Sequence, residues 1–177
     1  MKSVTIEDVK NAIRDVPDFP KEGILFKDIT TALKDPSLFK FIVDYFADIY
    51  KDLGITKVAC IESRGFIIGG ALAFRLNAGF VPIRKPGKLP AEKYSVKYQL
   101  EYGTDSLEVH TDAFGPSDIV LIHDDLLATG GTALATNELI KNFKVQKVYF
   151  SFLCELDFLH GSQRLIQYGS IHSMFTF

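Results

Sequence analysis

The chain has 177 residues, 47% of them apolar and 24% charged, and a formal net charge of −2. Residues 1–177 therefore read as a single domain able to bury its own core, with no global charge bias toward nucleic acid or an anionic membrane. The longest apolar run, Phe66 to Phe74, stops at Arg75, too short to cross a bilayer, and "MKSVTIEDVK" lacks a secretory apolar stretch, so a cytoplasmic protein is expected. Cys60 and Cys154 each lie in an apolar, strand-like run and are expected as buried free thiols.

In chain order, Thr5 followed by Asp8 resembles a capping box ahead of Ile6, Val9 and Ile13, which recur at helical spacing; Pro17 and Pro20 are expected to end that helix. "ILFKDIT" reads as extended, and residues 37–53 carry Leu38, Phe39, Ile42, Tyr45, Phe46 and Ile49 on one helical face, an aromatic stripe that belongs to a core. "KVACIE" (57–62) reads as a buried strand, Gly65 to Asn77 as a helix, and "FVPIR" (80–84) as another strand. Residues 86–113, rich in Lys, Tyr, Glu and Gly, predict a loop and hairpin excursion over the sheet. After the strand at 119–123 and its helix come the strand "VQKVYFSFLCE" and the closing "SIHSMFTF". Alternating strands and helices predict an α/β fold with a mostly parallel central sheet flanked by helices.

The stretch "IVLIHDDLLATGGTALA" (119–135) leads from a β-branched run into two acids and then a glycine pair flanked by threonines. A loop that opens a helix offers unpaired N–H groups to an anion, whereas adjacent acids repel one. A ligand with both a phosphate and a hydroxyl-rich part reconciles them: the phosphate for Ala128, Thr129, Gly130, Gly131 and Thr132, and the hydroxyls for Asp124 and Asp125. A P-loop would need Lys and Ser or Thr directly after the glycine, and a dinucleotide fingerprint would need G-x-G-x-x-G; neither is present. Beyond the carboxyl ends of parallel strands also lie "ESRGF" (62–66) and "RKPGKLP" (84–90), so Arg64, Arg84, Lys85 and Lys88 can converge there on a second anion. Lys85 and Lys88 taken alone read equally as solvated turn residues.

"VLIHDDLLATGGT" resembles the phosphoribosyl-pyrophosphate signature of type I phosphoribosyltransferases. "DFPKEGILFKDIT", "ESRGF", "IRKPGKLP" and "LEYGTDSLEVH" resemble, in order, motifs of the adenine-using branch of that family, over residues 17 to 135. The resemblance implies a type I fold with a small hood at about 1–35 and a flexible catalytic loop at about 86–113. It implies a pentosyltransferase reaction in purine salvage, in which adenine and phosphoribosyl pyrophosphate give AMP and pyrophosphate. Magnesium would come with the substrate, through water near Asp124 and Asp125 and with no dedicated protein ligand set, and the enzyme would be a homodimer.

By the same resemblance, Asp124 and Asp125 hold the ribose hydroxyls, and Ala128, Thr129, Gly130, Gly131 and Thr132 the 5-phosphate. Arg64, Arg84, Lys85 and Lys88 hold pyrophosphate, and Leu25, Phe26 and Lys27 the adenine. Glu101, beside Tyr102 in the catalytic loop, accepts the purine proton, and Arg64 stabilises the leaving charge; as a residue alone, Glu101 reads also as a solvated hairpin glutamate. A non-proline cis peptide is expected at Glu62-Ser63. Lys27 stands where the family commonly has arginine, and His123 where an aliphatic residue is usual; strand alternation turns His123 away from Asp124, as a half-buried structural side chain. Two alternatives remain: a phosphoribosyltransferase for another purine base, and a non-catalytic regulator that senses phosphoribosyl pyrophosphate and binds nucleic acid. The second is disfavoured because only about twenty residues precede "DFPKEG", too few for a helix-turn-helix.

Overall fold

The computed structural model describes residues 3–99 and 104–177. The capping box forms as expected: Thr5 Oγ1 accepts from the Asp8 N–H at 3.2 Å and the Asp8 carboxylate accepts from the Thr5 N–H at 2.9 Å, opening α1 (Ile6–Ala12). The helix stops well before Pro17, because Ile13 is already extended and β1 (Arg14–Pro17) pairs antiparallel with β2 (Leu25–Asp28). The prolines therefore do not end the helix; the β1–β2 ladder, which satisfies the backbone of both segments, competes with it successfully. "ILFKDIT" is extended only over β2, since α2 (Thr30–Leu33) begins at its end.

Asp35 caps α3 (Pro36–Tyr50) by accepting from the Ser37 and Leu38 N–H groups at 2.8 and 3.0 Å, with Pro36 in the first turn. Of the expected stripe, Ile42 and Phe46 are buried, Leu38, Phe39, Tyr45 and Ile49 are half-buried against the same core, and Tyr50 joins them. There follow β3 (Lys57–Ile61), α4 (Gly65–Arg75), β4 (Gly79–Ile83) and the antiparallel hairpin β5 (Lys93–Gln99) with β6 (Thr104–His110), which confirms the excursion. The chain continues through β7 (Ile119–Leu127), α5 (Gly131–Lys141), β8 (Lys147–Glu155), a 3₁₀ turn (Asp157–Leu159), α6 (Gly161–Leu165) and β9 (Ser170–Thr176). Strand β7 runs four residues beyond the expected end at 123, so Asp124 and Asp125 belong to the strand, Asp124 opposite Phe152 of β8, and only Ala128 to Gly130 form the loop.

The main sheet has the order β4-β3-β7-β8-β9, and every adjacent pair is parallel. Alternation divides its side chains between two apolar layers. Val58, Cys60 and Leu121 pack with α1, α3 and α4, whereas Ala59, Ile61, Val120 and Ile122 pack with α5 and β6. His123 falls in the first layer and is fully buried, where half-burial was expected. Its Nδ1 lies 3.1 Å from Ser151 Oγ and its ring meets Phe46 edge-on at 5.7 Å, and burial lowers its pKa to about 3, so it is neutral. Cys60 and Cys154 are buried free thiols.

From β3 the chain steps outward to β4, then returns to the opposite side of β3 for β7 and on to β8 and β9. Such a reversal leaves a crevice beyond the carboxyl ends of the two strands that flank it. Here those ends are Glu62 to Arg64 after β3 and Ala128 to Gly130 after β7.

Candidate active site

A cleft of about 530 Å³ opens at this switch point, with Phe26, Ser63, Arg64, Lys85, Asp124 and Asp125 in its wall. A smaller cavity of about 70 Å³ continues it along Ala128 to Thr132 and reaches Asp124. The acid pair and the glycine loop thus stand side by side, as expected from the sequence.

The loop is shaped by close backbone approach. Gly130 has φ +76°, and a Cβ there would lie 2.8 Å from the Gly161 carbonyl oxygen, so only glycine fits without strain. A Cβ on Gly161 would in turn overlap the Ala128 carbonyl oxygen. Arg164 of α6 donates from Nη1 to the Thr129 carbonyl at 2.9 Å. The loop is therefore braced from behind, and α5 opens directly from it with no side-chain cap, leaving first-turn N–H groups for an incoming anion.

Asp125 is 3% exposed and Asp124 half-buried. The Asp125 N–H donates to Asp124 Oδ1 at 2.9 Å. Arg64 Nε approaches Asp125 Oδ2 to 2.8 Å, yet the oxygen accepts no aligned hydrogen bond; it has a charge partner without a donor aimed at it. Burial, then the charge of Asp125, pushes the Asp124 carboxyl well above the usual range. Burial also raises Asp125, with Arg64 opposing. Two carboxylates in one partly dry site resist carrying two charges, so the pair is disposed to accept hydroxyl donors or a hydrated cation.

The basic residues converge, but not all on the acids. Arg64 bridges the two halves of the cleft: its guanidinium lies 4.8 Å from the Phe26 ring centre, and Nη1 donates to the Lys27 carbonyl at 3.5 Å. Arg84 donates from Nε to Glu62 Oε2 at 2.9 Å, Lys88 Nζ lies 3.7 Å from Glu62 Oε1, and the Lys85 N–H donates to Glu62 at 2.8 Å. Burial opposes ionisation of Glu62, but these partners outweigh it and hold its carboxyl below the usual value. Lys85 Nζ pairs with Asp105 at 3.0 Å. The Glu62-Ser63 peptide is cis, as the resemblance implied.

In the base segment only Phe26 lines the cleft. Leu25 is largely exposed, and the Lys27 side chain points to the other face of β2, where Nζ pairs with Asp15 at 2.6 Å. Glu101 and Tyr102 lie outside the described residues. Sequence reasoning singled out Glu62 and Ser63 for their cis peptide and not as cleft residues, and it did not single out Tyr98, Asp105 or Arg164. Glu62, Ser63 and Asp105 stood inside quoted motifs, but Asp105, with Tyr98, comes to the cleft through the β5–β6 pairing, and nothing local to Arg164 marks it. Among the described residues no group of three or more His, Cys, Asp or Glu is placed to hold a metal, and no helix is long and apolar enough to cross a membrane.

The acid pair and small-residue loop that carry the sequence resemblance thus line one cleft, and residues 30–165 match the family described as phosphoribosyl transferase domain. The similarity extends further. Adenine phosphoribosyltransferase of Geobacter metallireducens is 54% identical over 172 residues, which cover 97% of this chain and all of that one. The crystal structure of adenine phosphoribosyltransferase from Rhodothermus marinus matches with a TM-score of 0.92 at 50% identity, covering 97% of this chain and 98% of that one. The enzyme from Giardia lamblia, solved with 9-deazaadenine, matches with a TM-score of 0.94 at 39% identity and 98% coverage of each chain. The chain belongs to the adenine phosphoribosyltransferase family.

Proposed function

We propose that this protein transfers the 5-phosphoribosyl group from phosphoribosyl pyrophosphate to adenine, releasing AMP and pyrophosphate in purine salvage, and that it does so with magnesium, as a cytoplasmic homodimer. The observation that carries the site assignment is the continuity of one cleft from Phe26 through Asp124 and Asp125 to the loop Ala128–Thr132, which matches base, ribose and phosphate in order. Crystallisation of the Giardia relative with 9-deazaadenine supports adenine as the base.

In this reading the loop N–H groups and Thr132 hold the 5-phosphate, and Asp124 and Asp125 accept the ribose hydroxyls through charge-assisted hydrogen bonds. Magnesium fits the donor set as a substrate-borne ion, because the buried Asp125 Oδ2 has no hydrogen-bond donor and the carboxyl pair gains from a nearby positive charge. When bound it would supply neutralisation of the phosphate charges. Arg64, Arg84, Lys85 and Lys88 stabilise the charge that grows on departing pyrophosphate. Attack by a ring nitrogen at the anomeric carbon, with an oxocarbenium-like transition state, needs a dry, preorganised site more than a covalent nucleophile. Glu101, assigned through its motif, accepts the purine proton, with Tyr102 beside it.

A screen of radiolabelled adenine, hypoxanthine, guanine and xanthine with phosphoribosyl pyrophosphate and magnesium tests the reading. Adenine should be converted at least about 100-fold more efficiently than the others, the discrimination a site built to hydrogen-bond one polar edge can reach. Equal or better use of a 6-oxopurine would overturn the base assignment. Sedimentation of the same protein tests the dimer.

A further inference from the structure

The β1–β2 hairpin and the main sheet are separate ladders, so the base-reading segment must be docked onto the body by side chains. Register gives the hairpin two faces: Phe26 opposite Val16 on one, and Lys27 opposite Asp15 on the other. Phe26 lines the cleft, whereas the Lys27 side chain, only 10% exposed, is sealed beneath the hairpin. A largely desolvated ammonium needs compensation. It has two partners, the Asp15 carboxylate at 2.6 Å and the face of the Phe177 ring, whose centre is 3.9 Å away.

Phe177 is itself held in place. Its N–H donates to the Glu155 carbonyl at 2.9 Å, its carbonyl accepts from the Asp157 N–H at 3.3 Å, and Phe175 backs the ring edge-on at 5.5 Å. Lys10 donates to the Thr176 carbonyl at 2.7 Å and places its own ammonium 5.2 Å from the same ring. The ring is thus a fixed platform at the carboxyl end of β9, and Lys27 is the hairpin's cationic foot upon it.

We infer that Lys27 and Phe177 form a positioning pair that docks the base-reading hairpin against the ribose-phosphate cleft and so sets the affinity for adenine. This rests on the function proposed above. Neither side chain is a base ligand; both act through the backbone and ring of Leu25 and Phe26. The pair also accounts for a cation at position 27 whose side chain does not enter the cleft.

Steady-state KM for adenine and for phosphoribosyl pyrophosphate, kcat and Tm should be measured for wild type, Lys27→Met, Phe177→Leu, the double variant and Lys27→Arg. Methionine keeps most of the stem without the charge, and leucine keeps apolar packing without the aromatic face. Each single variant should raise the KM for adenine about tenfold, the scale of a desolvated cation–π contact, with the other KM within about twofold. The double variant should be no worse than the worse single one, because both break the same contact, and Lys27→Arg should restore the adenine KM. Unmoved adenine KM in both single variants overturns the pairing, as does a parallel rise in both KM values with a fallen Tm, the mark of general destabilisation. A wild type that forms no AMP overturns the parent function too, a result distinct from an active wild type with unmoved variants.

Discussion

Asp124 and Asp125, the proposed ribose ligands, show how a site side chain can work against the fold that holds it. Both carboxyls are raised above their ordinary range, chiefly by burial. A carboxyl with a raised pKa in the folded state favours its protonated form there, so its ionisation costs stability progressively as pH rises from the unfolded value through the folded one. At neutral pH, Asp124→Asn removes that cost with little change of volume. Its Tm should equal or exceed that of wild type, while the KM for phosphoribosyl pyrophosphate should rise roughly 10- to 100-fold, the scale of a hydrogen bond to a charged group. Calorimetry and initial rates at limiting phosphoribosyl pyrophosphate check both parts; a Tm lowered by more than about 3 °C, or full activity, would contradict the assignment. Asp125→Asn should weaken binding similarly but without the gain in Tm, because it also deprives Arg64 of its ion partner at 2.8 Å.

At the scale of elements, the unit that matters is β7, its loop and the start of α5, with α6 as a prop. Gly130 and Gly161 cross so closely that neither has room for a methyl group. Gly161→Ala would press on the Ala128 carbonyl, and small-to-large changes in a tight contact cost about 1–3 kcal/mol. Tm should fall by several degrees, at about 2–4 °C per kcal/mol for a chain of this size. The displaced loop should also raise the KM for phosphoribosyl pyrophosphate more than that for adenine, since the strain falls on the phosphate end of the cleft. An equal rise in both would show that α6 supports the whole site and not the loop. The β5–β6 hairpin makes the complementary contribution, carrying Asp105 to Lys85 at 3.0 Å and Tyr98 into the cleft wall.

For the whole molecule, the separate β1–β2 hairpin that borders the cleft also contributes to the response to acid. Asp28, at the end of β2, accepts from the Thr30 hydroxyl at 2.6 Å, and from Arg14 across the hairpin. Those hydrogen bonds, Thr30's first, lower its pKa to about 2. For a carboxyl lowered on folding, the stabilisation is complete above the unfolded value and is lost as pH falls through the folded one. Urea unfolding should therefore show Asp28→Asn less stable than wild type by about 1 kcal/mol at pH 7, a modest figure because water screens the largely exposed Arg14. The gap should close between about pH 4 and pH 2. A gap that persists unchanged at the acid end would show that the asparagine perturbs packing and not charge.

The sequence by itself determined the α/β alternation, the capping box at Thr5, the buried stripe of α3 and the adjacency of an acid pair and a glycine loop over Asp124–Thr132. Each of these is a local pattern, written in periodicity or in adjacent residue types, so short-range physics suffices to read it. It misplaced the end of α1 and the end of β7, because there the deciding hydrogen bonds come from β2 and β8, segments distant along the chain. The same limit hid the place of Tyr98, Asp105 and Arg164 in the site, and it grouped Lys27 with the adenine segment without fixing where its side chain goes. Only tertiary structure decided that Arg84 and Lys88 gather on Glu62, that Arg64 spans Asp125 and Phe26, and that Lys27 rests on Phe177, 150 positions later in the numbering. Contacts of this kind depend on which strand ends the topology brings together, and no window of neighbouring residues contains that information.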